Sequence, residues 1–120
     1  MERLRVAVVG VGVMGTMHAR AYAQCDSADL VGVMDTDASR VREVAATLGV
    51  PGTTSLDELV EDSSIDAFTV AIPDREHVAT TCRLLDAGKA VLLEKPMAHT
   101  LEAARRIAAS AEESGARLMI

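Results

Sequence analysis

Aromatic residues are nearly missing from this chain: Tyr22 and Phe68 are the only two, and there is no tryptophan. Proteins that bind single-stranded RNA or DNA stack bases on aromatic rings, so this shortage argues against that class. Basic charge is short as well. Twelve Lys and Arg stand against eighteen Asp and Glu, a net charge of −6. A surface of that sign repels nucleic-acid backbone and anionic lipid, so neither nucleic acid nor membrane is an expected partner. Cysteine is limited to Cys25 and Cys82, far apart and without a C-x-x-C pattern. Both fall in helical patterns and read as free packing thiols of a reducing compartment rather than as nucleophiles. No cationic start leads into an apolar signal segment, and no apolar run approaches membrane-spanning length, so a soluble, cytoplasmic location is expected. His18, His77 and His99 have no metal-ligand spacing, and no metal site is expected. A G-x-S-x-G elbow is missing too, which leaves a serine hydrolase without support.

What remains is an ordinary globular balance, 49% apolar and 25% charged over 120 residues, enough for one domain around one core. Strand-like and helix-like patterns alternate along its length. Leu4–Val9 reads as a strand, about Val13–Gln24 as a helix with Met14, Met17 and Ala21 at helical spacing, and Leu30–Met34 as a second strand. Asp37 or Thr36 caps a helix that carries Val41, Val44, Ala45 and Leu48 on one face and ends at Gly49. Thr53-Thr54 suggests a short strand, and Ser55-x-x-Glu58 a capping box for a short helix through about Glu61. Asp66–Ile72 is a strand stopped by Pro73-Asp74, where a helix begins that Gly88 ends. Ala90–Leu93 is the next strand. Thr100 opens a last helix with Ala104, Ile107, Ala108 and Ala111 on one face, Gly115 ends it, and a final strand starts at Arg117. Apolar strands alternating with helices predict an α/β fold, a doubly wound parallel sheet of about six strands with helices on both faces. The chain stops inside what reads as a strand, which suggests a fragment or a domain separated from something downstream.

Three positions carry chemistry. The run V-A-V-V-G-V-G-V-M-G places Gly10, Gly12 and Gly15 between the first strand and first helix, and Asp35 follows Gly15 by twenty residues at the end of the second strand. In a dinucleotide-binding βαβ unit, the first glycine permits the tight turn, the second admits the pyrophosphate and the third lets the helix pack on the sheet. Val13 and Met14, at the start of the helix that follows, are expected to bind the cofactor together with the glycines. Backbone amides and a helix N-terminus hold the pyrophosphate without local Lys or Arg. Asp35, followed by Thr36, then accepts hydrogen bonds from the adenosine ribose and repels an extra phosphate, so NAD is favoured over NADP. Arg40 is close in sequence but about a turn into the next helix. The other reading of the glycines is a structural turn.

Ile72-Pro73 with His77 forms the second position, at the carboxyl end of the fourth strand beside the switch point. His77 is either part of the cofactor cleft or a packing histidine, and Glu76 reads as first-turn helix charge. Glu94-Lys95-Pro96, at the end of the fifth strand, is the third. Lys95 loses its proton when desolvated and so suits proton transfer to or from a substrate hydroxyl; the plain reading is a solvated turn. His18 either borders the cleft or is an ordinary helix histidine, and His99 belongs to the entry of the last helix.

Together these residues resemble the cofactor domain of the glucose–fructose oxidoreductase/inositol dehydrogenase (Gfo/Idh/MocA) family, a Rossmann fold. The resemblance rests on Gly10-Val11-Gly12-Val13-Met14-Gly15-x-x-His18, on Pro73-x-x-x-His77, on Leu85-x-Ala87-Gly88-Lys89-x-Val91-Leu92-x-Glu94-Lys95-Pro96-Met97-Ala98, and on Ala116–Ile120. It covers essentially all of residues 1–120, and Glu-Lys-Pro is its specific part. By resemblance, Lys95 is the catalytic lysine near nicotinamide and substrate, Glu94 and Pro96 shape the cofactor side, the Lys95–Pro96 bond is cis in some members, and His77 lines the cofactor cleft. Members oxidise or reduce sugars, inositols and related polyols with NAD or NADP. The family's second domain, which supplies most substrate contacts, is not in this sequence. The chain alone is thus expected to bind cofactor with little turnover, and to self-associate through its uncovered sheet edge. The alternative is a non-catalytic NAD-binding sensor or regulatory module.

Overall fold

In the computed structural model, which describes residues 2–120, the apolar runs form strands and the segments between them coil into helices. The order is β1 (Leu4–Val9), α1 (Val13–Ala23), β2 (Ala28–Met34), α2 (Ala38–Leu48), β3 (Gly52–Thr53), α3 (Leu56–Val60), β4 (Ala67–Val70), a 3-10 turn (Asp74–Glu76), α4 (His77–Asp86), β5 (Ala90–Leu93), α5 (Leu101–Ser114) and β6 (Leu118–Met119). All six strands pair in parallel, in the order β3-β2-β1-β4-β5-β6. The doubly wound α/β sheet expected from the alternation is therefore the fold. The chain winds outward from β1 to β3, then crosses to the far side of β1 and winds outward again through β6. That reversal opens a crevice between β1 and β4 at their carboxyl ends.

Period-two alternation divides the core between two layers. Ala7 and Val9 of β1 face Leu59 of α3, Leu84 and Leu85 of α4, and Ile107 of α5. Val8 faces the opposite way, with Val33, against Ala19 of α1 and Val41 of α2. Both layers exclude water: Val8, Leu84, Leu85 and Ile107 are fully buried. A side chain of that kind contributes about 1.5–3 kcal/mol by leaving water.

The register aligns the strand ends. Val9 lies opposite both Met34 and Val70, and Val70 lies opposite Leu93. The next residues, Asp35, Gly10, Ala71 and Glu94, thus form one row along the carboxyl edge. Their N–H groups continue the ladder, with Gly10 donating to Met34 O (2.7 Å), Ala71 to Val9 O (2.8 Å) and Glu94 to Val70 O (3.1 Å).

Helix ends follow local chemistry. Asp37, not Thr36, caps α2, its side chain accepting from the N–H groups of Ser39 and Arg40. Thr100 caps α5. Gly49 and Gly115 close α2 and α5 with left-handed backbone, which spares a Cβ clash. The Ser55 hydroxyl accepts from Glu58 N–H, but the box is not reciprocal, because Glu58 accepts from the Thr53 hydroxyl instead.

Several expectations need correction. Met14, Met17 and Ala21 form the outer face of α1, and Gly15 and Ala19 are the residues beneath it. The reason is clearance at one point: a Cβ on Gly15 would stand 1.6 Å from the Gly10 carbonyl oxygen, so glycine must face the loop there, and that contact fixes which face of α1 turns inward. In α5 the buried pair is Ala103 and Ile107, and Ala108 faces solvent. The stripe is rotated because Ala carries too little apolar surface to fix which of several alanines points inward. β4 is shorter than Asp66–Ile72, since the chain leaves the sheet to form the rim of the crevice. A 3-10 turn precedes α4 after Pro73. Cys25 lies beyond the last residue of α1 and is exposed, whereas Cys82 is buried in α4; both are free thiols. Among the described residues, no helix is long and apolar enough to cross a membrane.

Candidate functional site

The crevice at the switch point is lined by Gly10, Gly12, Asp35, Thr36, Ile72 and Pro73, with Arg40, Leu56, Glu76 and Thr80 among the other walls. Its volume is about 320 Å³. The fold thus gathers six of the predicted site residues from three separate stretches of chain into one cleft.

The glycine loop is shaped by close approach on one side and open space on the other. Gly10 has φ +92°, and a Cβ there would meet Ala71 O at 2.2 Å. Gly15 is equally hemmed in. Gly12 is different: a Cβ would find nothing nearer than Arg40 Nη1 at 4.0 Å. The loop therefore presents bare backbone toward a free volume. Gly12 is also the N-cap of α1, supplies no side-chain cap, and is followed by no acidic residue in the first turn. The first-turn N–H groups of such a helix lack intrahelical acceptors and, with the helix dipole, attract an anion. A pyrophosphate fits this cradle.

Asp35 closes one end of the cleft. Its Oδ2 accepts from Val11 N–H at 2.9 Å and its Oδ1 from Asp37 N–H at 3.0 Å. Arg40 Nη1 stands 3.6 Å from Oδ2, and only 12% of the Asp35 side chain is exposed. Burial pushes the carboxyl upward, but the backbone N–H groups of Asp37 and Val11 and the nearby guanidinium outweigh it, holding the group below its ordinary 3.8. Ionised, it keeps acceptor capacity beyond the two backbone bonds, as a pair of ribose hydroxyls requires. Arg40 was the residue that sequence reasoning underweighted. It does lie in the first turn of α2, but its side chain reaches back to the loop. Leu56 and Thr80 went unnoticed because nothing local marks a helix start as the wall of a cleft built by another strand.

The other half of the site lies along β4 and β5. Asp35 and Glu94 are separated by three inter-strand steps, about 14 Å at the usual spacing of about 4.8 Å. Glu94 and Lys95, with Ile120, line a shallow depression at the end of β5. Lys95 is exposed, and no ion pair among the described residues uses it. The Lys95–Pro96 bond is cis. Glu94 Oε1 is 2.5 Å from His18 Nε2.

His77 is placed differently from a ligand-contacting residue. Its side chain is buried, 1% exposed, with Nε2 2.9 Å from Ile72 O and Nδ1 3.3 Å from Met97 O. It ties the Ile72-Pro73 rim to the chain after Pro96, so any effect on a ligand passes through those segments. Val13 faces a separate groove of about 470 Å³ between α1 and α2, and Met14 is half-exposed beside the loop. Among the described residues no cluster of three His, Cys, Asp or Glu could hold a metal ion.

Fold and cleft together define a dinucleotide-binding domain of the doubly wound class. The family model described as "Oxidoreductase family, NAD-binding Rossmann fold" matches residues 4–120, and the chain belongs to this Gfo/Idh/MocA family. Inositol 2-dehydrogenase 1 of Saccharopolyspora erythraea is 41% identical over 119 residues, covering 97% of this chain and 35% of that protein. UDP-N-acetylglucosamine 3-dehydrogenase of Acidithiobacillus ferrooxidans is 35% identical over 113 residues, covering 94% and 35%. Among solved structures, GenD2 from gentamicin A biosynthesis, in complex with NAD, superimposes with a TM-score of 0.94 at 38% identity, covering 99% of this chain and 34% of that one. The chain spans about a third of the length of the curated relatives it matches.

Proposed function

We propose that this chain is the cofactor-holding part of an oxidoreductase that moves a hydride between nicotinamide and a sugar, inositol or related polyol. The observation that carries the reading is the meeting of the glycine loop and Asp35 in one cleft. Gly10 and Gly15 set the turn, and Gly12, Val13 and Met14 offer backbone N–H to the pyrophosphate. Asp35 accepts from the adenosine ribose hydroxyls, with Thr36, Ile72 and Pro73 lining the same cleft. Its ionised carboxylate disfavours a 2′-phosphate, which makes NAD the preferred dinucleotide over NADP.

When bound, the nicotinamide supplies or accepts the hydride. The chain's own contribution at that end is geometry and proton handling. Lys95 stands free at the tip of β5, where its amine hydrogen-bonds a substrate hydroxyl and exchanges a proton with that oxygen as the carbon is oxidised or reduced. Glu94 fixes the approach to it, and His77 holds the two flanking segments together. Substrate recognition belongs to residues outside these 120, in a second domain of the kind the family resemblance implies. The two free thiols support a cytoplasmic location. The exposed Met119 of edge strand β6 and Ile120 just after it support self-association there.

Calorimetric titration tests the reading. NAD is expected to bind saturably, one per chain, and more tightly than NADP. An absence of heat at millimolar NAD, with the protein folded, would overturn it.

A further inference from the structure

We infer that His18 is a positioning residue for the Glu94-Lys95 corner, and so for the nicotinamide half of the site; this rests on the cofactor reading above. The two residues are 76 apart in sequence and belong to opposite halves of the fold, one on α1 and the other at the end of β5. A carboxylate oxygen only accepts, so His18 Nε2 donates, at 2.5 Å. Each side chain is 24% exposed, so the pair is neither in the core nor on the open surface, and Glu94 lines the depression at the end of β5 together with Lys95.

An ordinary tie between helix and sheet is the competing explanation, and α1 already has one. A turn further along, Tyr22 OH meets Thr69 Oγ1 at 2.6 Å, deep under the helix, where Thr69 is fully buried. The His18 bond adds little to docking the helix. It lies instead in the row of Asp35, Gly10, Ala71 and Glu94, one residue past the strand ends, where an α/β sheet of this class binds ligands. Asp35 takes the adenosine end of that row, which leaves Glu94 at the nicotinamide end.

The bond has two consequences there. It occupies Oε1 and leaves Oε2 free to accept from a carboxamide N–H or a ribose hydroxyl. It also keeps the Glu94 carboxylate from turning to the adjoining Lys95 ammonium, whose freedom the proton-handling role requires. His18 touches neither reacting atom; it acts through Glu94.

The test compares NADH, followed by the fluorescence of its reduced nicotinamide, with ADP-ribose, which lacks that ring and is followed by calorimetry. Wild-type chain is expected to bind both. His18→Ala is expected to weaken NADH about tenfold, the worth of one charge-assisted hydrogen bond, while ADP-ribose stays within about twofold. His18→Gln, whose amide still donates toward Glu94, is expected to recover most of the NADH affinity and its fluorescence change. Equal losses for both ligands, no loss for either, or no recovery with Gln would overturn the inference. Should His18→Ala not fold, His18→Phe, which keeps a ring of similar size but has no donor for Glu94, must show the same split, or the inference falls. Wild-type protein that is folded yet ignores ADP-ribose would instead overturn the cofactor reading itself.

Discussion

Replacing Asp35 by Ala separates the structural duty of this carboxylate from the ribose-binding duty proposed for it. In the ligand-free protein it accepts from Val11 N–H and Asp37 N–H. Val11 is 2% exposed, so its N–H would lose its partner in a place water reaches poorly. Leaving such a donor unpaired costs about 1–3 kcal/mol. For a domain of this size that lowers the melting temperature by about 4–12 °C, at about 4 °C per kcal/mol. In the complex the substitution also removes the acceptor for two ribose hydroxyls. Each hydrogen bond to a charged group contributes about 1.5–3 kcal/mol, so the loss of even one raises the Kd for NAD by about 10- to 150-fold. NADP should lose much less, because the repelling charge is gone and Arg40, no longer drawn to Asp35 Oδ2 at 3.6 Å, is free to meet its extra phosphate. Thermal melts of the ligand-free variant read the first duty, and parallel titrations with NAD and NADP read the second. An unchanged NAD-to-NADP ratio would refute the ribose assignment, even if the melting temperature falls as expected.

Other outcomes follow from the same geometry. Gly15→Ala would put a Cβ 1.6 Å from the Gly10 carbonyl oxygen, so α1 must withdraw from the loop; a loss of about 3 kcal/mol or more is expected in denaturant titration, together with loss of NAD binding, and a variant with native stability would contradict the close-packing argument. Lys89→Met removes the ammonium that donates to Asp62 O (2.8 Å) and Ile65 O (2.9 Å) in a 7% exposed setting. It is expected to cost about 2 kcal/mol of stability with NAD affinity unchanged, and an affinity loss in the folded variant would count against a purely structural role. Because the folded protein holds the Asp35 carboxyl below its ordinary 3.8, the stability it contributes is complete above that value and is lost as pH falls through the lower folded value. Asp35→Asn should flatten this part of the acid-unfolding profile; an identical profile would show that the group does not titrate as described.

The parts of the site that were legible in the sequence are those in which backbone and spacing carry the chemistry. Gly10, Gly12 and Gly15 between a strand and a helix, and Asp35 at the next strand end, are local signals, and parallel register then brings them to one edge. The helix caps at Asp37 and Thr100 are equally local. What was not legible depends on tertiary distance. The outward turn of Met14 and Met17 follows from the close contact of Gly15 with Gly10, which fixes the inner face of α1 and which no helical periodicity reports. The burial of His77 depends on two carbonyl groups, one of them twenty residues downstream. Arg40 looked remote because sequence gives the position of a Cα, whereas a long side chain decides for itself which way to reach. The bond between His18 and Glu94 joins two halves of the chain that only the sheet topology brings together.

The central claim is that a dinucleotide lies across the opening of α1 with its adenosine sugar on Asp35. A crystal structure of the chain grown with NAD measures this directly. Density is expected for the pyrophosphate over the N–H groups following Gly12, and for both ribose hydroxyls within hydrogen-bond distance of the Asp35 carboxylate. A cleft without ligand at saturating NAD, or a dinucleotide in the outer groove between α1 and α2, would contradict it.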